Sequence, residues 1–205
     1  MKSGDPELRT LVNEIARCRI CRDAPLGKPL PHEPRPVLQP SASARILLAG
    51  QAPGTRVHAS RRPFTDPSGD RLRGWLGIGP EVFYDPARIA ILPMGFCFPG
   101  LTAKGADLPP RPECAKAWRA RLLAAMPQID LVVGLGLHAL RWHMGSAWRG
   151  SLDETVVNWR GGLALSPRVL ALPHPSWRNN HWLKRNPWFE TELLPVLRRE
   201  VKALL

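Results

Sequence analysis

Three short runs and four cysteines carry the side chains of this 205-residue chain that could do chemistry. The first run, Gly50-Gln51-Ala52-Pro53-Gly54, sets two glycines and a proline around one amide. Such a turn brings backbone N–H groups and a single polar side chain to one place. Gln51 could orient a water there or hydrogen-bond a base. The plainer reading is an ordinary turn after a strand. The run is too short for a phosphate-binding P-loop, which needs G-x-x-x-x-G-K-[ST].

The second run, Arg62-Pro63-Phe64-Thr65-Asp66-Pro67-Ser68-Gly69-Asp70, places an aromatic ring beside carboxylates in a stiff loop. Phe64 could stack on a flat ligand, and Asp66 or Asp70 could handle charge or protons. In the plainer reading Phe64 anchors the loop and Ser68 or Asp70 caps the next helix, and for Asp70 the cap is expected. The third run begins at His174-Pro175-Ser176 and continues through Arg178, Asn179 and Asn180, a loop suited to hydrogen-bonding a ligand. Trp177, Trp182 and Trp188 there interleave with Arg178, His181, Lys184 and Arg185. Basic and aromatic side chains together can grip phosphates and wedge a base stack. Some of these tryptophans are expected to pack the last helix instead.

The cysteines fall as a close pair, Cys18-x2-Cys21, and a distant pair, Cys97-x16-Cys114. The N-terminus, MKSGDPELRT, has no apolar export segment, so a cytoplasmic metal site is expected over disulfides or buried free thiols. The four thiols alone leave a [4Fe–4S] cluster and a zinc ion both open.

These groups need a scaffold. Residues 4–17 read as a helix, capped by Ser3 or Asp5, with Leu8, Leu11, Val12 and Ile15 at helical spacing. Residues 23–43 carry six prolines and form a loop. Short apolar runs at 44–49, 87–92, 129–135 and 169–172 read as buried strands. Between them lie a polar loop at 55–70, helices at 70–78, 112–126 and 137–143, and a loop at 98–111. Residues 153–165 read as a hairpin or irregular strand pair, and 187–205 as a closing amphipathic helix. The alternation predicts one α/β domain over 1–205: a three-layer α/β/α sandwich on a mainly parallel four-stranded sheet. All three polar runs would then follow strand ends, where open sheets bind ligands.

The formal net charge is +12, and 23 of the 29 basic residues are arginine. That excess fits a polyanionic partner such as nucleic acid. A GC-rich genome explains the preference for arginine but not the 17 acids against 29 bases. No apolar run is long enough to span a membrane.

Taken in order, the motifs resemble the uracil-DNA glycosylase superfamily, and most closely its iron–sulfur branch, families 4 and 5. Gly50-Gln-Ala-Pro-Gly54 is similar to the branch's first motif, and Arg62-Pro-Phe-Thr65 with Asp66 to the family 5 run R-P-F-T-G-D-x-S-G. Val132–Ala139 resembles a V-x-L-G-x-x-A element, and His174-Pro-Ser-Trp-Arg-Asn179 a second motif like that of single-strand-selective monofunctional uracil glycosylases. The cysteine spacing resembles C-x2-C…C-x14–15-C, one or two residues longer between the last pair. Gln51 stands where family 4 has glutamate. Leu92-Pro-Met-Gly-Phe-Cys97 replaces a T-N-x-V-K-C strand whose asparagine reads uracil. A K-R-R-I-H insertion is absent.

The resemblance implies a monofunctional glycosylase in base excision repair, acting on DNA that holds uracil or another deaminated base. It implies Gln51, Asp66 and His174 as catalytic residues and Gly50, Ala52, Phe64 and Ser176 around the base. Trp177, Arg178, Asn179, Asn180, Lys184 and Arg185 would bind DNA. Cys18, Cys21, Cys97 and Cys114 would hold a [4Fe–4S] cluster. A cytoplasmic monomer is expected. Two alternatives stand beside it: a non-catalytic DNA-binding or metal-sensing module, and a glycosylase preferring hypoxanthine or xanthine.

Overall fold

The computed structural model describes residues 6–205. The proposed caps Ser3 and Asp5 lie outside them. In chain order the first elements are α1 (Pro6–Ala16), α2 (Ile20–Asp23), β1 (Ile46–Ala49), α3 (Thr55–Ser60), α4 (Pro67–Leu76), α5 (Pro80–Phe83) and β2 (Ile89–Ile91). Next come α6 (Pro112–Cys114), a π turn (Ala115–Arg119), α7 (Ala120–Ala124), β3 (Leu131–Leu135) and α8 (Leu137–His143). The chain ends with α9 (Leu152–Val157), α10 (Trp159–Gly162), β4 (Arg168–Leu172), α11 (Asn180–Arg185) and α12 (Leu194–Leu204).

The strands form one all-parallel sheet in the order β2-β1-β3-β4. Leu48 pairs with Ile91 and Val133, and Leu135 with Leu172. Every residue of β1, β2 and β3 is buried, as the unbroken apolar runs require of a sheet covered by helices. The α/β class expected from the sequence is the one found. From β1 the chain steps outward to β2 on one side; β3 lies on the other side and leads to β4. The order therefore reverses between β1 and β3, and such a switch point leaves a crevice at the carboxyl ends.

Arginines tie the helices to one another. Arg198 of α12 donates to Trp75 O (3.2 Å) and Gly74 O (3.0 Å) of α4. Arg121 of α7 pairs with Glu14 of α1 at 2.9 Å. Arg119 is 1% exposed. It donates to Leu92 O (3.3 Å) and Pro93 O (3.0 Å) beyond β2, and its other arm meets His143 Nε2. Burial pushes this guanidinium down to about 9.

Several expectations need correction. The polar loop at 55–70 contains α3, a helix with one buried residue, Val57, and hence little apolar periodicity. Asp70 does not cap α4: it lies inside the helix, exposed, and pairs with Arg73 at 2.5 Å, while Asp66 holds the N-cap position. The expected hairpin at 153–165 is two helices, α9 and α10. Ser151 caps α9 by accepting from Glu154 N–H (3.2 Å) and donating to Glu154 Oε2 (3.0 Å). That side-chain N-cap outweighs the strand preference of the β-branched run Thr155-Val156-Val157. The closing helix begins with a π turn at Phe189–Leu193 before α12.

Candidate active site

The crevice at the switch point is a cavity of about 590 Å³. The turn after β1 supplies Gly50, Gln51 and Ala52, and its backbone is pinned to the segment after β2. Met94 N–H donates to Gly50 O and Gly95 N–H to Gln51 O, both at 2.9 Å. Gly136 ends β3 with φ 82 and ψ 176, a conformation essentially confined to glycine. A Cβ there would stand 2.7 Å from Gln51 Nε2 and 3.3 Å from His174 Cβ. Three strand ends thus bring Gln51, Gly136 and His174 into contact range.

Phe64 adds an aromatic wall. Its backbone is left-handed (φ 55). Tyr84 Oη donates to its carbonyl at 3.1 Å, and a Cβ on Gly69 would lie 1.9 Å from the same oxygen. The ring packs edge-on against Phe83 at 5.8 Å and faces Gly50, whose hypothetical Cβ would be 3.5 Å away. Asp66 is half-buried on the wall and accepts from Ser68 Oγ at 2.6 Å.

The loop after β4 is fastened at both ends. Asn179 Nδ2 donates to His174 O (2.6 Å), and Arg71 Nη1 donates to Ser176 O (3.1 Å). Burial lowers the His174 imidazole, Asp66 opposes that and Arg178 adds to it, so the ring favours the neutral form. A neutral imidazole can still donate one ring N–H.

Gly50, Gln51, Ala52, Phe64, Asp66, His174, Ser176, Trp177, Arg178 and Asn179 all line this one cavity. Asn180, Lys184 and Arg185 do not; they lie exposed on α11. Trp182 and Trp188 pack edge-on against Phe189 at 5.8 and 6.5 Å, whereas Trp177 is 73% exposed at the mouth. Sequence reasoning missed Asp107, a second carboxylate on the wall, and His138. His138 lies within the Val132–Ala139 element but was not singled out there, and Asp107 belongs to a loop without periodicity.

The four cysteines meet elsewhere. All are free thiols, and together with Ile15, Phe96 and Trp118 they border one small cavity. Trp118 Nε1–H donates to Cys18 Sγ (3.2 Å) and Phe96 N–H to Cys114 Sγ (3.3 Å). Burial pushes the Cys21 thiol up to about 11 and those of Cys97 and Cys114 up to about 12. Among the described residues, no three His, Cys, Asp or Glu side chains are grouped so as to hold a single metal ion.

An open parallel sheet with its polar side chains gathered at a switch point is the arrangement in which α/β proteins bind ligands at their strand ends. A family model of the uracil DNA glycosylase superfamily matches residues 37–198, and the chain belongs to that superfamily. Its members are DNA glycosylases, hydrolases that act on DNA. Cys97 and Cys114 fall inside the matched region; Cys18 and Cys21 precede it. No helix among the described residues is long and apolar enough to cross a membrane.

Proposed function

We propose that this chain excises uracil, or another deaminated base, from DNA as a monofunctional glycosylase. The observation that carries the reading is the convergence of Gln51 and His174, from the ends of β1 and β4, and Asp66, from the N-cap of α4, on a cavity walled by Phe64. The target base leaves the helix at a cost of a few kcal/mol, least in mispaired or single-stranded sites. Phe64 stacks on it, and exposed Trp177 fills the gap while Arg178, Lys184 and Arg185 hold phosphates. The C1′–N bond then breaks, the sugar becoming cation-like and the base an anion. Asp66 stabilises the sugar cation, Gln51 positions the attacking water, and His174 donates a hydrogen bond to the developing oxyanion. Water adds its hydroxyl to C1′, and its proton ends on the departing base or in solvent.

The thiols of Cys18, Cys21, Cys97 and Cys114 fit a [4Fe–4S] cluster. Support comes from their sharing one cavity wall and from N–H donors aimed at two sulfurs. Such a cluster would fasten the segment after α1 to the loops around β2 and α6 and supply no redox step.

The test is incubation of the protein with a uracil-containing oligonucleotide, then alkali. Strand cleavage at the uracil is expected. Binding without cleavage across uracil, hypoxanthine and xanthine substrates would instead establish a non-catalytic module.

A further inference from the structure

The aromatic wall of the cavity stands in a backbone conformation that its side chain disfavours. Among the described residues two non-glycines have positive φ, Arg61 (58) and Phe64 (55). Arg61 closes α3, where a left-handed residue is an ordinary helix ending. Phe64 ends no helix, and a bulky aromatic persists in that region only where its surroundings hold it. The hold is on its carbonyl. Tyr84, directly after α5, donates its hydroxyl proton to Phe64 O at 3.1 Å. Arg73 of α4 donates to Tyr84 Oη at 3.3 Å and stands 3.5 Å from Phe64 O. Both holders are themselves fixed. The Tyr84 ring packs edge-on against Phe83 at 5.0 Å with the Arg62 guanidinium 3.5 Å over its face, and Arg73 pairs with Asp70. Yet neither Tyr84 nor Arg73 lines the cavity.

We propose that Tyr84, backed by Arg73, is the positioning residue for base stacking and acts on the extruded base only through Phe64. The inference rests on the glycosylase reading. At an ordinary negative φ the Cα–Cβ bond of Phe64 would point elsewhere, and the ring would leave its place facing Gly50. The bond from Tyr84 to the carbonyl favours the left-handed form. The Arg73 guanidinium, donating to the Tyr84 oxygen, polarises the O–H and strengthens that bond. A ring set in advance needs no ordering when the base arrives, so more of the stacking energy is left for binding.

Anisotropy titrations with two labelled single-stranded oligonucleotides test this, with fold checked by thermal melting. One probe carries a base that the parent releases, on a 2′-fluorinated sugar; the fluorine disfavours the sugar cation and so blocks cleavage. The other carries a tetrahydrofuran abasic site and has no base to stack. Tyr84→Phe removes the hydroxyl and keeps the ring. It is expected to weaken binding of the base-bearing probe by about threefold to tenfold and to leave the abasic probe at the parental affinity. Phe64→Ala is expected to weaken the base-bearing probe by on the order of tenfold to a hundredfold. Adding Tyr84→Phe to it is expected to change that affinity by no more than about twofold. Equal losses on the two probes in Tyr84→Phe would overturn the proposal, since the hydroxyl would then support the fold at large. So would parental affinity of Tyr84→Phe for the base-bearing probe, or an undiminished Tyr84→Phe loss on top of Phe64→Ala. If Phe64→Ala does not fold, the contrast between the probes in Tyr84→Phe decides alone. A parent that releases neither uracil, hypoxanthine nor xanthine overturns the glycosylase reading itself, and this proposal with it.

Discussion

Replacing Gly136 with alanine separates what the backbone needs from what the site needs. At φ 82 and ψ 176 the residue sits in a region that only glycine enters freely. Forcing alanine there costs about 1–3 kcal/mol. In a chain of this size each kcal/mol moves the melting temperature by about 2–4 °C, so a drop of roughly 2–12 °C is expected. The added methyl would also stand 2.7 Å from Gln51 Nε2 and 3.3 Å from His174 Cβ. The amide is the end of a flexible side chain and can turn away, but then it leaves the place in which the proposed mechanism has it position water. The His174 Cβ is fixed to a loop that Asn179 and Arg71 fasten, so it yields less. A loss of on the order of 10²-fold in single-turnover excision is expected, as when a positioned polar group moves by about an ångström. Gly77→Ala is the control. Gly77 also has positive φ (70), and its Cβ would meet only Arg198, far from the cavity. It should melt earlier and excise at the parental rate. A Gly136→Ala protein that matches the Gly77→Ala protein in both measurements would refute the claim that the residue after β3 packs against the Gln51 amide and that this amide serves excision.

Other outcomes follow from the same geometry. His174→Ala and Asp66→Asn should each lower single-turnover excision by on the order of 10²–10³-fold while melting near the parent; parental rates in both would remove them from the chemistry. Trp177→Ala, which takes away a 73% exposed ring, should slow excision from duplex more than from single strands, and an equal effect on both would deny it the wedge role. Cys114→Ala should abolish the visible absorption of an iron–sulfur protein, with iron and acid-labile sulfide both lost; a parent that carries zinc would reject the cluster. Gly69→Ala places a Cβ 1.9 Å from Phe64 O, so the Phe64 loop must shift. About 1–3 kcal/mol of stability should go, with weaker substrate binding as the stacking ring moves; unchanged melting would show the loop to be pliable.

Sheet and site were legible to different degrees, for physical reasons. Ile46–Ala49 and Leu131–Leu135 announce themselves because a strand buried on both faces must be apolar throughout. Polar residues directly after such runs must emerge at the carboxyl edge, so Gln51 and His174 could be placed together from sequence. Asp107 could not. It reaches the cavity only because residues 100–108 loop back through backbone hydrogen bonds that leave no side-chain pattern. The helix at Leu152–Val157 was misread although its signal was present, in the Ser151 and Glu154 pair. Its β-branched residues suggested a strand, but Thr155 and Val156 are buried on one side of a capped turn.

The arginines change meaning once placed. Their number pointed to a polyanion, yet several are occupied within the fold. Arg119 is sealed in the interior on the carbonyls of Leu92 and Pro93, Arg198 bridges α12 to α4, and Arg73 reaches Tyr84 and Asp70. Arg71 holds the carbonyl of Ser176 and so fixes the loop that carries His174. Such side chains contribute to the net charge without offering a donor to phosphate. The exposed positive charge that remains near the cavity lies on two sides of it: Arg178, Lys184 and Arg185 after β4, and Arg56, Arg61 and Arg62 on and just after α3, whose Val57 lines the same cavity. Charge flanking one opening on both sides is the arrangement that a polyanion laid across it would require.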